Sequence, residues 1–297
     1  MRKRIVVGMA AALMALAGAA RAADASQKVW DAAMAVAKSG PADVVLADQA
    51  VLHLPAAEVY VPQPQADKLL NVMGNPGSNP EILGLILPRD PRATWAMPVR
   101  FHKSGFIKDD DARTWDPDAM LRSLRDGTEE QNKAREKAGV PGIEVTGWSD
   151  PPQYDASQRR LVWSMTARTA GAPADAPQNV NYNTFALGRE GYFSLNLLAA
   201  LADLPELRPV AARQIAALEY NAGKRYADFN PKTDRVADYG LVGLVVEAAD
   251  HQDSIVARAI AFVHQYAAPI IAALFVLAAV VLGLRRRKPS GNPPPAG

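Results

Sequence analysis

Cysteine is absent from the 297-residue sequence, and its absence removes three kinds of chemistry at once. Disulfides, thiolate metal sites and lipid attachment at a processed N-terminal cysteine are all closed to this chain. Histidine is nearly as scarce: His53, His102, His251 and His264 are scattered, with no second ligand at a metal-binding spacing and no local partner for His53. Walker A and Gly-x-Gly-x-x-Gly loops, a Gly-x-Ser-x-Gly elbow and a His-Glu-x-x-His helix are all missing. No cofactor and no metal are therefore expected, and the reading leans away from an enzyme.

Acidic residues are missing from both ends, and those ends are where the sequence says most. Arg2, Lys3 and Arg4 precede an apolar stretch from Ile5 to Ala19 and an Ala20-Arg21-Ala22 cleavage pattern. Residues 1–22 read as a cleavable signal peptide. Residues 267–284 carry no charge and are followed by Arg285, Arg286, Arg287 and Lys288. Eighteen helical residues rise roughly 27 Å, close to the thickness of a bilayer's hydrocarbon core. Cations beside a short tail stay cytoplasmic, so the expectation is a single-pass protein of the bacterial inner membrane, its N-terminal domain in the periplasm and its C-terminus in the cytoplasm.

Eight of the 33 Lys and Arg lie in these two ends, against none of the 31 Asp and Glu. The part between them carries 25 positive and 31 negative charges, a net of −6. A nucleic-acid role, which needs a basic face, loses its support.

Between the ends the pattern alternates between helix and strand. Ser26 is placed to cap a helix to about Lys38, followed by strands over 43–47, 50–54 and 58–61, then helical spacing at Ala66, Leu69, Leu70 and Met73. Ile82 to Leu87 reads as a buried strand. Thr94 to Phe101 alternates cleanly, and Pro98, which has no N–H to donate, points to an edge strand or a bulge. Asp116 or Asp118 starts a helix to Ala138 whose second half is almost wholly polar. Residues 143–148, 160–168, 179–187 and 192–198 read as an antiparallel meander. Helices are expected from Pro209 to Tyr220 and after an Asn230-Pro231 cap.

Six residues stand out as ligand or cation candidates. Asp109, Asp110 and Asp111 supply adjacent carboxylates, but without the register of an EF-hand loop, so a solvated turn is the plainer reading. Asp228 two residues before Asn230 resembles a cation loop, against which helix capping explains Asn230. Asn181 and Asn183 share one strand face, as period-two spacing requires, and form either an amide ladder for a polar ligand or an exposed polar sheet face.

Five phrases occur in order: Met73-Gly74-Asn75-Pro76; Gly105-Phe106-Ile107-Lys108-Asp109-Asp110-Asp111-Ala112; Gly147-Trp148-Ser149-Asp150-Pro151-Pro152; Asn181-Tyr182-Asn183 with Leu187-Gly188-Arg189; and Arg225-Tyr226-Ala227-Asp228-Phe229-Asn230-Pro231. Over roughly residues 44–246 the chain resembles the membrane-anchored bacterial proteins grouped as domain of unknown function 2167. The resemblance implies an exported, anchored α+β domain and carries over no catalytic residue.

The expected organisation is a signal peptide (1–22), an α+β ectodomain (23–250) built on an antiparallel meander with flanking helices, a juxtamembrane helix (251–266), a transmembrane helix (267–284) and a cytoplasmic basic, Pro-rich tail (285–297). Its expected partners are the lipid bilayer, through 267–284, and an envelope protein. The expected function is a periplasmic binding or interaction module. The alternatives are a metal-assisted hydrolase using the acidic cluster and a structural subunit of a membrane complex.

Overall fold

Alternation of apolar and polar residues over five to thirteen positions makes strands the dominant element of this chain. The computed structural model describes residues 25–73, 81–90, 92–113, 115–137 and 141–246. The expected signal peptide (1–22), juxtamembrane helix (251–266), transmembrane helix (267–284) and tail (285–297) lie outside the described residues. Among the described residues no helix is long and apolar enough to cross a membrane.

Eight strands form one antiparallel sheet: β1 (Lys38–Ser39), β4 (Glu58–Pro62), β5 (Ile82–Pro88), β6 (Met97–His102), β10 (Tyr192–Ala200), β9 (Asn179–Leu187), β8 (Arg160–Thr169) and β7 (Ile143–Asp155), in that spatial order. The expected meander is present as β7 to β10. A second run, β4 to β6, joins it where β6 pairs with β10. A small sheet of β11 (Leu218–Tyr220), β3 (Ala50–Leu54) and β2 (Ala42–Leu46) stands apart from it. The helices are α1 (25–36), α2 (Gln65–Val72), α3 (Pro117–Lys137), α4 (Leu204–Ala216) and α5 (241–246). The class is α+β, as expected.

Both faces of the large sheet are covered. On one, the small sheet and α4 bury Phe193, Leu195, Leu197, Met97 and Val99. On the other, two apolar clusters remain separate. Ala33 of α1 and Leu69 and Leu70 of α2 pack on Val61, Ile82, Leu85 and Leu87. Met120 and Leu124 of α3 and Leu241, Leu244 and Val245 of α5 pack on Leu161, Trp163, Met165 and Phe185.

Three expectations are corrected. Pro98 lies in an interior strand, not at an edge: β6 runs between β5 and β10, and of the two alternatives only an irregularity is present nearby, a register shift of β5 between Ile82 and Gly84 opposite Val99 and Arg100. The helix expected from 209 to 220 runs instead from Leu204 to Ala216 with Pro209 inside it, and residues 218–220 form β11 against β3. Asn230-Pro231 opens a turn rather than a helix. The Asn230 side chain accepts the Lys232 N–H at 3.0 Å and Asp234 accepts the Asn230 N–H at 2.7 Å.

The Trp148–Asp150 phrase shows what a bulge does. Two residues apart on a regular strand, both side chains would share a face. The register slips between them, so Trp148 sits edge-on to Trp163 at 5.9 Å under α3, while Asp150 turns to the opposite face and takes a bidentate pair from Arg208 of α4. The bulged outer strand also tolerates Pro151 and Pro152.

Candidate functional site

Between the two apolar clusters of the helix-rich face runs a polar strip. Antiparallel register lays it out: Arg100 of β6 lies opposite Ser194 of β10, Asn196 of β10 opposite Asn183 of β9, and Asn183 opposite Trp163 of β8, with Asn181 two residues along. The exposures are 7 % for Arg100, 2 % for Ser194, 3 % for Asn196, 0 % for Asn183 and 2 % for Asn181. The alternative that Asn181 and Asn183 form an exposed polar face is therefore corrected, because that face is buried.

Buried polar groups are normally hydrogen-bonded, and each orphan costs about 1–3 kcal/mol. Here Arg100 Nη2, Trp163 Nε1, Asn181 Nδ2 and Oδ1, Asn183 Oδ1 and Asn196 Oδ1 have no partner, six of the nine such side-chain atoms among the described residues. Asn183 spends its amide on the Asn181 carbonyl at 3.4 Å. Arg100 forms no ion pair with the described residues. Burial pulls its guanidinium down to about 10, against the favourable fields of Glu81 and Tyr192, so it stays cationic at neutral pH.

One end of the strip is tied together. The His102 ring lies with Nδ1 2.8 Å from Glu81 Oε2 and Nε2 3.0 Å from Ser194 Oγ, stacked at 4.5 Å on Tyr192. With Nδ1–H donating to the carboxylate, Nε2 accepts the serine hydroxyl. The sequence shows His102 only as one of four scattered histidines and gives no signal for Glu81, Ser194, Tyr192 or Arg100. They lie at 81, 100, 102, 192 and 194, and only the β5–β6–β10 pairing joins them.

The acidic candidates go elsewhere. Asp109 accepts Tyr154 Oη at 2.7 Å and Tyr226 Oη at 3.1 Å and pairs with Arg159, whose guanidinium lies 4.6 Å over the Tyr226 ring. Asp111 accepts the first N–H groups of α5, Leu241 and Val242, both at 3.1 Å, which is an N-terminal cap. Asp110 is exposed. Asp228 accepts the Arg225 N–H at 3.0 Å and closes a 3-10 turn. No group of three or more His, Cys, Asp or Glu among the described residues is placed to hold a metal ion. His53, read without a local partner, has Asp43 across the hairpin at 2.7 Å.

The family phrases assemble this corner. Phe106 stacks on Phe229 at 3.8 Å, Tyr226 donates to the Ile107 carbonyl at 2.8 Å, and Arg189 makes a two-point pair with Asp234 at 2.6 and 2.8 Å. The profile of the proteins described as protein of unknown function (DUF2167) matches residues 38–278. The chain belongs to this family. No curated protein matches it. Among solved structures, the solution structure of cyanobacterial PsbP (CyanoP) from Synechocystis sp. PCC 6803 is similar to this DUF2167 chain. That likeness extends over 62 % of this chain and 91 % of the other, at 10 % identity and a TM-score of 0.37.

A pH dependence follows from this DUF2167 corner. Burial alone would raise the Asp109 carboxyl, but Tyr154, Arg159 and Tyr226 together bring it below the ordinary range. Its native pKa lies below its unfolded one, so its contribution is complete above the unfolded value and fades as pH falls through the native one. Lys224 and Gln49 likewise hold Glu190 low against its burial. Urea midpoints are expected to fall between pH 5 and pH 3, as the acid arm of that linkage. Asp109→Asn is expected to flatten that fall; an unchanged slope removes Asp109 from the account.

Proposed function

We propose that this protein is a binding module exported to the periplasm and tethered to the inner membrane by residues 267–284. The apolar run, the cations at 285–288 and the signal-like start support the placement. External protease acting on spheroplasts is expected to remove the ectodomain and spare the tail; the reverse pattern overturns the orientation.

The observation that carries the binding role is the strip. Six unpartnered polar atoms and an unpaired buried cation are costly to a fold unless another molecule answers them. Strain of this kind gathers at functional sites. Native mass spectrometry of the full chain, extracted in detergent, is expected to find a co-purified small molecule of defined mass. An empty chain that also recovers no specific envelope partner on crosslinking overturns the reading.

A second reading has one observation behind it. Glu81, His102 and Ser194 form a carboxylate–imidazole–hydroxyl relay of the kind that activates a serine nucleophile. Fluorophosphonate reports on it directly: Ser194 Oγ bonds to phosphorus, fluoride leaves and the hydroxyl proton passes to His102 Nε2. Labelling of the full chain that vanishes in Ser194→Ala supports a hydrolase. An unlabelled wild-type chain at neutral pH overturns it; Ser194 is 2 % exposed.

A further inference from the structure

The unanswered groups of the strip constrain what answers them. Arg100 is its one cation: the field of Glu81, itself bonded to His102, favours the charge, but Arg100 forms no ion pair with a carboxylate among the described residues. A group carrying one negative charge balances Arg100. A phosphoryl dianion would leave a second charge buried without a counter-ion, at a cost of several kcal/mol. A neutral ligand would leave the guanidinium unpaired. The Nη2 donor, with a guanidinium's planar fork, suits the two oxygens of a carboxylate.

The rest of the strip is richer in acceptors. Asn181, Asn183 and Asn196 each leave an Oδ1 without a donor. From β6 to β9 they extend the site over two strand spacings, about 10 Å. An ammonium group there would have no carboxylate beside it, so the matching donors are hydroxyls or amide N–H groups.

Resting on the binding role proposed above, we infer that the strip takes a small monocarboxylate whose other polar groups are hydroxyl or amide donors, with Arg100 as the counter-ion and the three asparagines as acceptors. Every one of these atoms is closed to solvent, so a ligand that meets them is enclosed.

The test uses the full chain in detergent with three probes at equal ionic strength: N-acetylglycine, its neutral amide N-acetylglycinamide, and inorganic phosphate. N-acetylglycine in tens of millimolar is expected to raise Tm by about 2–4 °C, with no shift from the other two. In Arg100→Gln the shift is expected to vanish while the ligand-free Tm holds or rises, because an uncompensated buried charge has gone. Asn196→Ala keeps the charge and is expected to weaken the response at least threefold. A shift that survives in Arg100→Gln, or that phosphate or the neutral amide reproduces, overturns the carboxylate assignment. So does the absence of any shift. A co-purified adduct that remains on Arg100→Gln leaves the binding role standing and overturns only the ligand class.

Discussion

Phe193→Ala is expected to remove about 3–5 kcal/mol of stability. Phe193 is fully buried on β10, an interior strand of the large sheet, with the Phe101 ring at 4.9 Å and the Tyr220 ring at 5.4 Å. The cost of such a truncation depends on how far the neighbours can collapse into the space. Here they are held. Tyr220 is anchored through its hydroxyl to the Ala186 carbonyl at 2.7 Å, and Phe101 is fixed in β6 by the pairing that sets Phe193 opposite it. The cavity should therefore persist. In urea the midpoint is expected to drop with the slope unchanged, and thermal unfolding to move down by about 10 °C. Val45→Ala is the control: Val45 is 71 % exposed on β2, and its loss is expected to stay within about 0.5 kcal/mol. A Phe193→Ala loss below about 1 kcal/mol would mean that the small sheet and α4 close over the space, and the packing described for that face would be wrong.

Much of this core was legible because its signals are local. Short apolar runs placed β3 and β5, and strand-like segments between turn signals placed β8, β9 and β10, within a residue or two, and the charged second half of α3 marked a helix with little to bury. What failed was whatever depends on strand order. Pro98 was read as marking an edge or a bulge because a proline withholds one donor, and the strand order makes it interior, with the register slip of the neighbouring strand a residue or two away. Residues 218–220 continued the spacing of Ile215 and Leu218, and only pairing with β3, more than 160 positions earlier, makes them a strand.

The candidate site divides the same way. Spacing put Asn181 and Asn183 on one face but carried no information on whether that face is covered. Polar residues in alternation ordinarily mean water, and here helices lie to both sides of the strip. Arg100 was hidden for the same reason, as the polar half of a clean alternation. The Glu81–His102–Ser194 relay had no sequence signature, since its members are brought together by three strands from distant parts of the chain. The acidic run, by contrast, was conspicuous in sequence and proved structural: Asp109 anchors two tyrosines and an arginine, and Asp111 caps α5.

Gly191→Ala is expected to be the most damaging single change near the strip, costing more than about 4 kcal/mol or preventing folding. A Cβ at 191 would sit 1.9 Å from the His102 carbonyl oxygen, 2.9 Å from its carbon and 3.1 Å from the Ser104 nitrogen. All three are backbone atoms, so no rotamer change relieves the contact and one strand must move. The residue also holds φ at +155°, which side chains rarely adopt. Its neighbour Tyr192 is the register partner of His102, so separation there opens the β6–β10 seam where His102 meets Ser194. Gly223→Ala separates crowding from conformation: its φ is +80° but nothing lies within 4 Å of the added carbon. That change is expected to cost only about 1–2 kcal/mol, the left-handed penalty alone. Equal losses in the two variants would show that β6 and β10 tolerate displacement at this turn, and the close approach that joins the two halves of the sheet would then be no constraint on the relay or on Arg100 beside it.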